Sequence, residues 1–364
     1  MVATVAMAAA MVATVGCDEK KPETAIKKDD KKDDKKDATS AKLEAAMAAA
    51  ASAKARGPAQ QAEGGPPATG VFGPGAADKV MVRGAPMKVE MVSDGSAPRV
   101  AIVAAPTSWK GNATVTTGVR LGQRNALPSI EYVVGLGPDK KKDDKGAGGA
   151  APAAAGLSLI GDVTSAKLGA DQPGRLPEGT AKEIGKLKGS QLRWLSDDQG
   201  VAREPSSVVS KDGQAELQRS LDAAAEAFFY LSVPPPPKPV GAGASWIAGS
   251  RQVLDGVEVV SYRLYKVVSV SPEGVQLTLE SHEYAVSDTL TFPGLPPGST
   301  LGQFEAVAQG EMTLPAREAL ATKGRISRQM TLAFPPPAGA PQQQPGGMMA
   351  LQIVNEATVT RGGK

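Results

Sequence analysis

The chain has one cysteine and one histidine in 364 residues. A single cysteine excludes an intramolecular disulfide and any thiolate metal cluster. A single histidine, His282, cannot build a zinc site, and a Ser-His-Asp or Cys-His arrangement would have to use it. Alternation of its neighbours puts His282 on the polar face of a strand, so no catalytic residue and no metal ligand is expected. Aromatic residues make up only 4%, so a core must rest on Val, Leu, Ile, Ala and Met. No charge of one sign dominates: 41 basic residues face 38 acidic ones, for a net charge of +3. Basic side chains are mixed with acidic ones, and no basic stripe interleaves with aromatics, so no nucleic-acid partner is expected. The glycine-rich stretch GAGASWIAG at 241–249 lacks the Lys-Ser/Thr of a phosphate loop, and Ser245 has no glycine two positions on. It reads as a turn delivering Trp246 into the core. Asp197-Asp198-Gln199-Gly200 falls short of a calcium loop and reads as a turn between strands. No cofactor is implied.

Glycine and proline, by contrast, are plentiful, at 41 and 29 residues, and they cluster. Residues 1–16, MVATVAMAAAMVATVG, carry no charge. They fall short of the roughly 20 residues that span a bilayer and fit a secretory signal core. The run ends in Thr14-Val15-Gly16-Cys17. This resembles the lipobox of bacterial lipoproteins, with small residues ahead of the cysteine. The resemblance implies diacylglyceryl transfer to the Cys17 sulfur, cleavage between Gly16 and Cys17, and acylation of the new amino group. A thiol is the nucleophile that takes the diacylglyceryl group, and two or more acyl chains hold stably where one does not. Thr14 stands where leucine is usual, and no Lys or Arg precedes the apolar run. The implied location is the bacterial cell envelope, extracytoplasmic, with the membrane reached through acyl chains on Cys17. Asp18 and Glu19 resemble an inner-membrane retention signal; inner or outer membrane stays open.

Behind Cys17 the tract KKDDKKDDKKD at 27–37 places like charges four apart, which opposes a helix, and offers nothing apolar to bury. An Ala-rich, helix-prone stretch at 41–56 and a Gly/Pro linker follow. The expected organisation is a signal peptide at 1–16, a lipid-anchored disordered tether at 17–78, and a body at 79–364 with a disordered insert at 138–156.

The body reads as strands. Candidate segments are 87–92, 99–104, 130–134, 157–163, 191–195, 303–312, 324–334 and 349–360. A long hairpin over 257–270 and 275–286 turns at Ser271-Pro272-Glu273-Gly274, the residue pattern of a type I turn. Leu217, Leu221, Ala224 or Ala225, and Phe228 form one helical stripe, capped by Ser210 or Asp212 and stopped by the prolines at 234–237. A shorter piece at 180–188 has a capping-box pattern at Thr180 and Glu183. The expected fold is α+β, mainly antiparallel β, a curved sheet or a sandwich with the amphipathic helix covering one face. The phrases KLKGSQLRWLSDDQG and KPVGAGASW, with the long hairpin, resemble a loosely defined group of bacterial lipoproteins with no activity to carry over. The leading expectation is a non-enzymatic, lipid-anchored envelope lipoprotein that binds or scaffolds another envelope component. Two alternatives stand beside it. One is a carrier of a lipid or other apolar ligand, with Leu221, Phe228, Phe229 and Trp246 lining its pocket if they are not plain core. The other is a hydrolase that works with carboxylates alone.

Overall fold

The computed structural model describes residues 66–105, 108–122, 125–139, 157–172, 174–289, 300–335 and 348–362. In chain order the elements are α1 (Ala76–Val80), β1 (Lys88–Ser93), β2 (Gly111–Leu121), β3 (Asn125–Ala126), β4 (Ile130–Pro138), β5 (Leu157–Leu168), α2 (Thr180–Gly185), β6 (Gln191–Ser196) and β7 (Ala202–Val208). After a 3₁₀ turn at Ala215–Leu217 come α3 (Gln218–Leu231), β8 (Ser245–Leu254), β9 (Val257–Ser271), β10 (Gly274–Ala285), β11 (Gln303–Leu314), β12 (Lys323–Phe334) and β13 (Met349–Arg361).

Each long strand alternates, and the alternation sets its faces. On β4, Ile130, Tyr132, Val134 and Leu136 are buried; on β13, Ile353, Asn355, Ala357 and Val359 are. The strands form one antiparallel sheet in the order β1-β8-β9-β10-β11-β12-β13-β2-β4-β5-β6-β7, with β3 beside β2. The sheet is therefore neither a sandwich nor a one-sided platform. It curls until β7 comes up against β8. The intervening segment bridges the two edges: Arg203 Nη1 donates to the Ala85 carbonyl, and Arg83 Nη2 lies 3.7 Å from Glu204 Oε2.

Helix α3 runs inside this curl, so the one packed helix covers the inner face of the sheet, as expected, and the curl also encloses its other sides. Its residues 220, 221 and 223–231 are all buried. The large side chains make the stripe visible in sequence, while Ala223, Ala224, Ala225 and Ala227 let strands approach on the remaining sides. Ser220 Oγ bonds Thr117 Oγ1 of β2 at 2.8 Å and accepts from the Tyr132 hydroxyl of β4 at 2.9 Å. Trp194 of β6 donates to the Ala225 carbonyl, and Arg263 of β9 to that of Phe229. Gly324 of β12 makes room for the helix end: a Cβ there would stand 2.3 Å from Leu231 Cδ2.

Other details also differ from expectation. Ser210 caps nothing, because its hydroxyl donates to the Lys186 carbonyl and the helix starts later, without a side-chain cap. Asp212 likewise lies ahead of the helix. Thr180 donates to the Pro177 carbonyl and Glu183 takes the Lys186 ammonium, so no capping box forms. The segment 99–104 is not a strand. Its backbone bonds run to Val240 and Ala316, loop positions that no ladder extends. The hairpin turn sits where its residues place it, with Ser271 opposite Gly274. The β8–β9 turn uses Asp255 and Gly256 at φ 48° and 78°, the two left-handed positions of a type I′ hairpin.

The tether expectation is overturned at its C-terminal end. Residues 66–78 pack on the body. Phe72 N–H donates to Ala285, Phe304 N–H donates to Thr69, and Phe72, Ala77 and Met81 are buried with Val260. Gly70 is required there, because at φ 74° a Cβ would lie 1.7 Å from the Phe304 carbonyl oxygen. Residues 138 and 139 of the expected insert also belong to the fold, Pro138 in β4 and Asp139 bonded to Ser158. The rest of the insert and residues 1–65 lie outside the described residues.

Candidate functional site

Leu221, Phe228, Phe229 and Trp246 are each 0% exposed, so none faces solvent or a water-sized void. Phe228 packs on Trp194, itself 4.9 Å from Trp109, and Trp246 stacks on Tyr265 at 5.4 Å. The four expected pocket residues are thus core. Trp246 is delivered by the turn at 241–244, and its indole donates to the Pro234 carbonyl at 3.0 Å. Asp197 makes the β6–β7 turn, accepting from the N–H groups of Gln199 and Val201. Burial outweighs those bonds and raises its pKa. His282 is on the outer face of β10, with Nε2 3.2 Å from Glu280 Oε1. Gly16 and Cys17 lie outside the described residues.

Two features that the sequence did not single out carry the polar chemistry. The first is an ion network inside the curl. Arg328 of β12 places Nη1 at 2.6 Å from Asp255 Oδ2 and Nη2 at 2.8 Å from Glu283 Oε2 of β10. Glu226 of α3 accepts from the Asp255 N–H at 2.8 Å, and its Oε2 lies 3.6 Å from Arg328 Nη1. The Tyr230 hydroxyl donates to Glu283 Oε1, and Asn355 of β13 donates to Asp255 Oδ2 at 3.0 Å. Four separate elements thus meet at one guanidinium. Burial, then the charges of Asp255 and Glu283, push the Glu226 carboxyl up to about 8. Burial and the Glu283 charge likewise raise the Tyr230 phenol well above its ordinary value. Beside this network lies a cavity of about 10 Å³, lined in part by Glu226, Tyr230, Arg328 and Asn355. That is room for about one water and no substrate.

A signal for this network existed in the sequence. Glu283 falls on the face of Leu277 and Leu279, and Arg328 between Ile326 and Met330, so both are charged residues at inward positions.

The second feature is open. On the outer face of β9–β13 a groove of about 450 Å³ is walled by Lys266, Glu280, Gln309, Glu311, Arg325 and Glu356. Register sets one row across it, with Lys266 opposite Thr278, Thr278 opposite Glu311, and Glu311 opposite Arg325. Glu280 and Glu356 are engaged by His282 and by Arg120. Leu264, Thr278, Leu279, Gly310 and Ser327 complete its lining, with no aromatic ring. Among the described residues no three His, Cys, Asp or Glu side chains are grouped to hold a metal ion, and no helix is long and apolar enough to cross a membrane. No protein-family model matches the chain, and no curated protein matches it.

Proposed function

We propose that the chain is a bacterial lipoprotein, tethered to an envelope membrane through acyl groups on Cys17. Its body acts without catalysis, as a binding or scaffolding module that presents the outer groove to another envelope component. One contrast supports this reading above all. The interior is filled by α3 and its ion network, whereas a groove of about 450 Å³ lies outside, on the strands, lined by ionic and hydrogen-bonding groups together with Leu264 and Leu279. The carboxylates of the interior have no room for a substrate beside them. A carrier of an apolar ligand would have to displace α3 to gain a pocket.

Two measurements test the two halves of the proposal. Fatty-acid labelling of the full chain in a bacterial host should mark the wild type and not Cys17→Ser; equal labelling of both rejects the anchor. Photo-crosslinkers placed in cells at Thr278 and Gln309 should trap one discrete envelope component that a control position, Lys211, does not. An identical pattern from all three positions rejects the groove as the binding face.

A further inference from the structure

Inside the curl, the carboxylates of Glu226, Asp255 and Glu283 are 5%, 2% and 0% exposed, around an Arg328 side chain that is 2% exposed. A second guanidinium, Arg219 of α3, lies 3.7 Å from Asp255 Oδ1. The other polar groups nearby are committed. Asp222 of α3 accepts from Ser207 and Gln218. Arg263 of β9 is held on the Phe229 carbonyl with its guanidinium 4.3 Å from the Phe229 ring centroid. With Asp222, which also feels Arg219 and Asp255, four carboxylates face these two guanidiniums, so negative charge exceeds positive in a place where an unpaired ion is costly.

The shortfall does not fall evenly. Glu283 receives Arg328 through Nε at 3.1 Å and Nη2 at 2.8 Å, and also the Tyr230 hydroxyl. Asp255 receives Arg328 at 2.6 Å and Asn355 at 3.0 Å. Glu226 has one close donor, the neutral Asp255 N–H; its Oε2 has Asn355 Nδ2 at 3.4 Å and Arg328 Nη1 at 3.6 Å. It is the least stabilised anion of the three. The adjoining cavity of about 10 Å³ is too small for a hydrated cation. Asn355 also lines that cavity, and its Oδ1 is buried without a donor, the kind of acceptor that a carboxylic acid O–H requires.

We propose that the folded protein binds one proton on the Glu226 carboxyl at neutral pH, that this proton lets α3 seat against β12 and β13, and that its loss under alkaline conditions loosens the helix. The upward push on Glu226, from 4.5 to about 8, runs in the same direction. Across that window the folded state holds a proton that the unfolded chain has released, so stability falls as pH rises, and below the window the effect vanishes.

Infrared spectroscopy and unfolding of the full chain test this. The wild type should show the carbonyl band of a protonated carboxyl at neutral pH, lost above about pH 8, and Glu226→Gln should lack it. In urea unfolding, the wild-type folding constant should drop by up to about tenfold per pH unit across the window beyond any drop in Glu226→Gln. Absence of the band in the wild type overturns the proposal without recourse to any variant. Persistence of the band in Glu226→Gln, or equal pH slopes for the two proteins, overturns the assignment to Glu226.

Discussion

Removing the Arg328 guanidinium would strand Asp255 and Glu283 without that counter-charge at side-chain exposures of 2% and 0%. A buried ion pair adds little over a well-packed apolar pair, but a broken one is severe, because the remaining charges have nowhere to go. Arg328→Met should therefore cost about 3–5 kcal/mol in urea unfolding at neutral pH. Arg328→Lys should restore only part of this, since one ammonium cannot reproduce a fork that reaches Asp255 and Glu283 through different nitrogens. A loss under about 1 kcal/mol for Arg328→Met would mean that the network is solvated. Residues of this kind are hard to find in a sequence. Arg328 sits at an inward position of its strand, which is a local clue. Its partners are not local: Glu283 is 45 residues away and Asp255 is 73.

Helix α3 shows what a stripe of large side chains does and does not say. Leu221 and Phe228 mark one face, and a helix lying on a sheet would leave the opposite face wet. Ala223 lies about half a turn away from Leu221, yet it is 2% exposed, because the sheet surrounds the helix. Ala223→Leu is thus a sharp test. If strands enclose the helix, the larger side chain has no space, and stability should fall by about 1–3 kcal/mol, read as a lower urea midpoint with an unchanged slope. If the helix merely covered one face, the substitution would be neutral or mildly stabilising. Strands were more legible than the helix environment. Period-two alternation marks which side chains share a face in the hairpin over β9 and β10. The missed strands β2, β7 and β8 have reasons of their own. Strand β2 is interrupted by Gly111 and Gly118, β7 carries Pro205 and a left-handed Glu204 at φ 51°, and β8 follows a glycine-rich turn.

At the scale of the whole molecule, the body begins earlier than its composition suggests. The stretch from residue 66 to Met81 is rich in glycine, proline and alanine, yet it hydrogen-bonds to the start of β11 and the end of β10 and buries Phe72 and Met81. A chain starting at residue 82 should be less stable than one starting at residue 66 by at least about 3 kcal/mol, the order expected for losing the burial of two large apolar side chains. Thermal melts of the two chains at equal concentration check this, and matching melting temperatures would show that the segment contributes nothing. The packing is specific to position: Gly70 passes against the Phe304 carbonyl at a distance that no side chain tolerates. Composition averages over such a segment, so a run of small residues looks like linker whether or not another part of the chain lies against it.

By itself the sequence determined the mainly antiparallel β class, the faces of the long strands, the Ser271–Gly274 turn and the existence of a helix before the proline run. These follow from periodicity and backbone preference, which act over a few residues. Tertiary structure alone decided that the sheet curls around the helix, that residues 66–78 belong to the body, and that Glu226, Asp255, Glu283, Arg328 and Asn355 meet. The Glu226–Asp255 contact spans 29 residues and the Glu226–Asn355 contact spans 129. Contacts at such separations arise from how strands order and curl, and a local pattern carries no record of either.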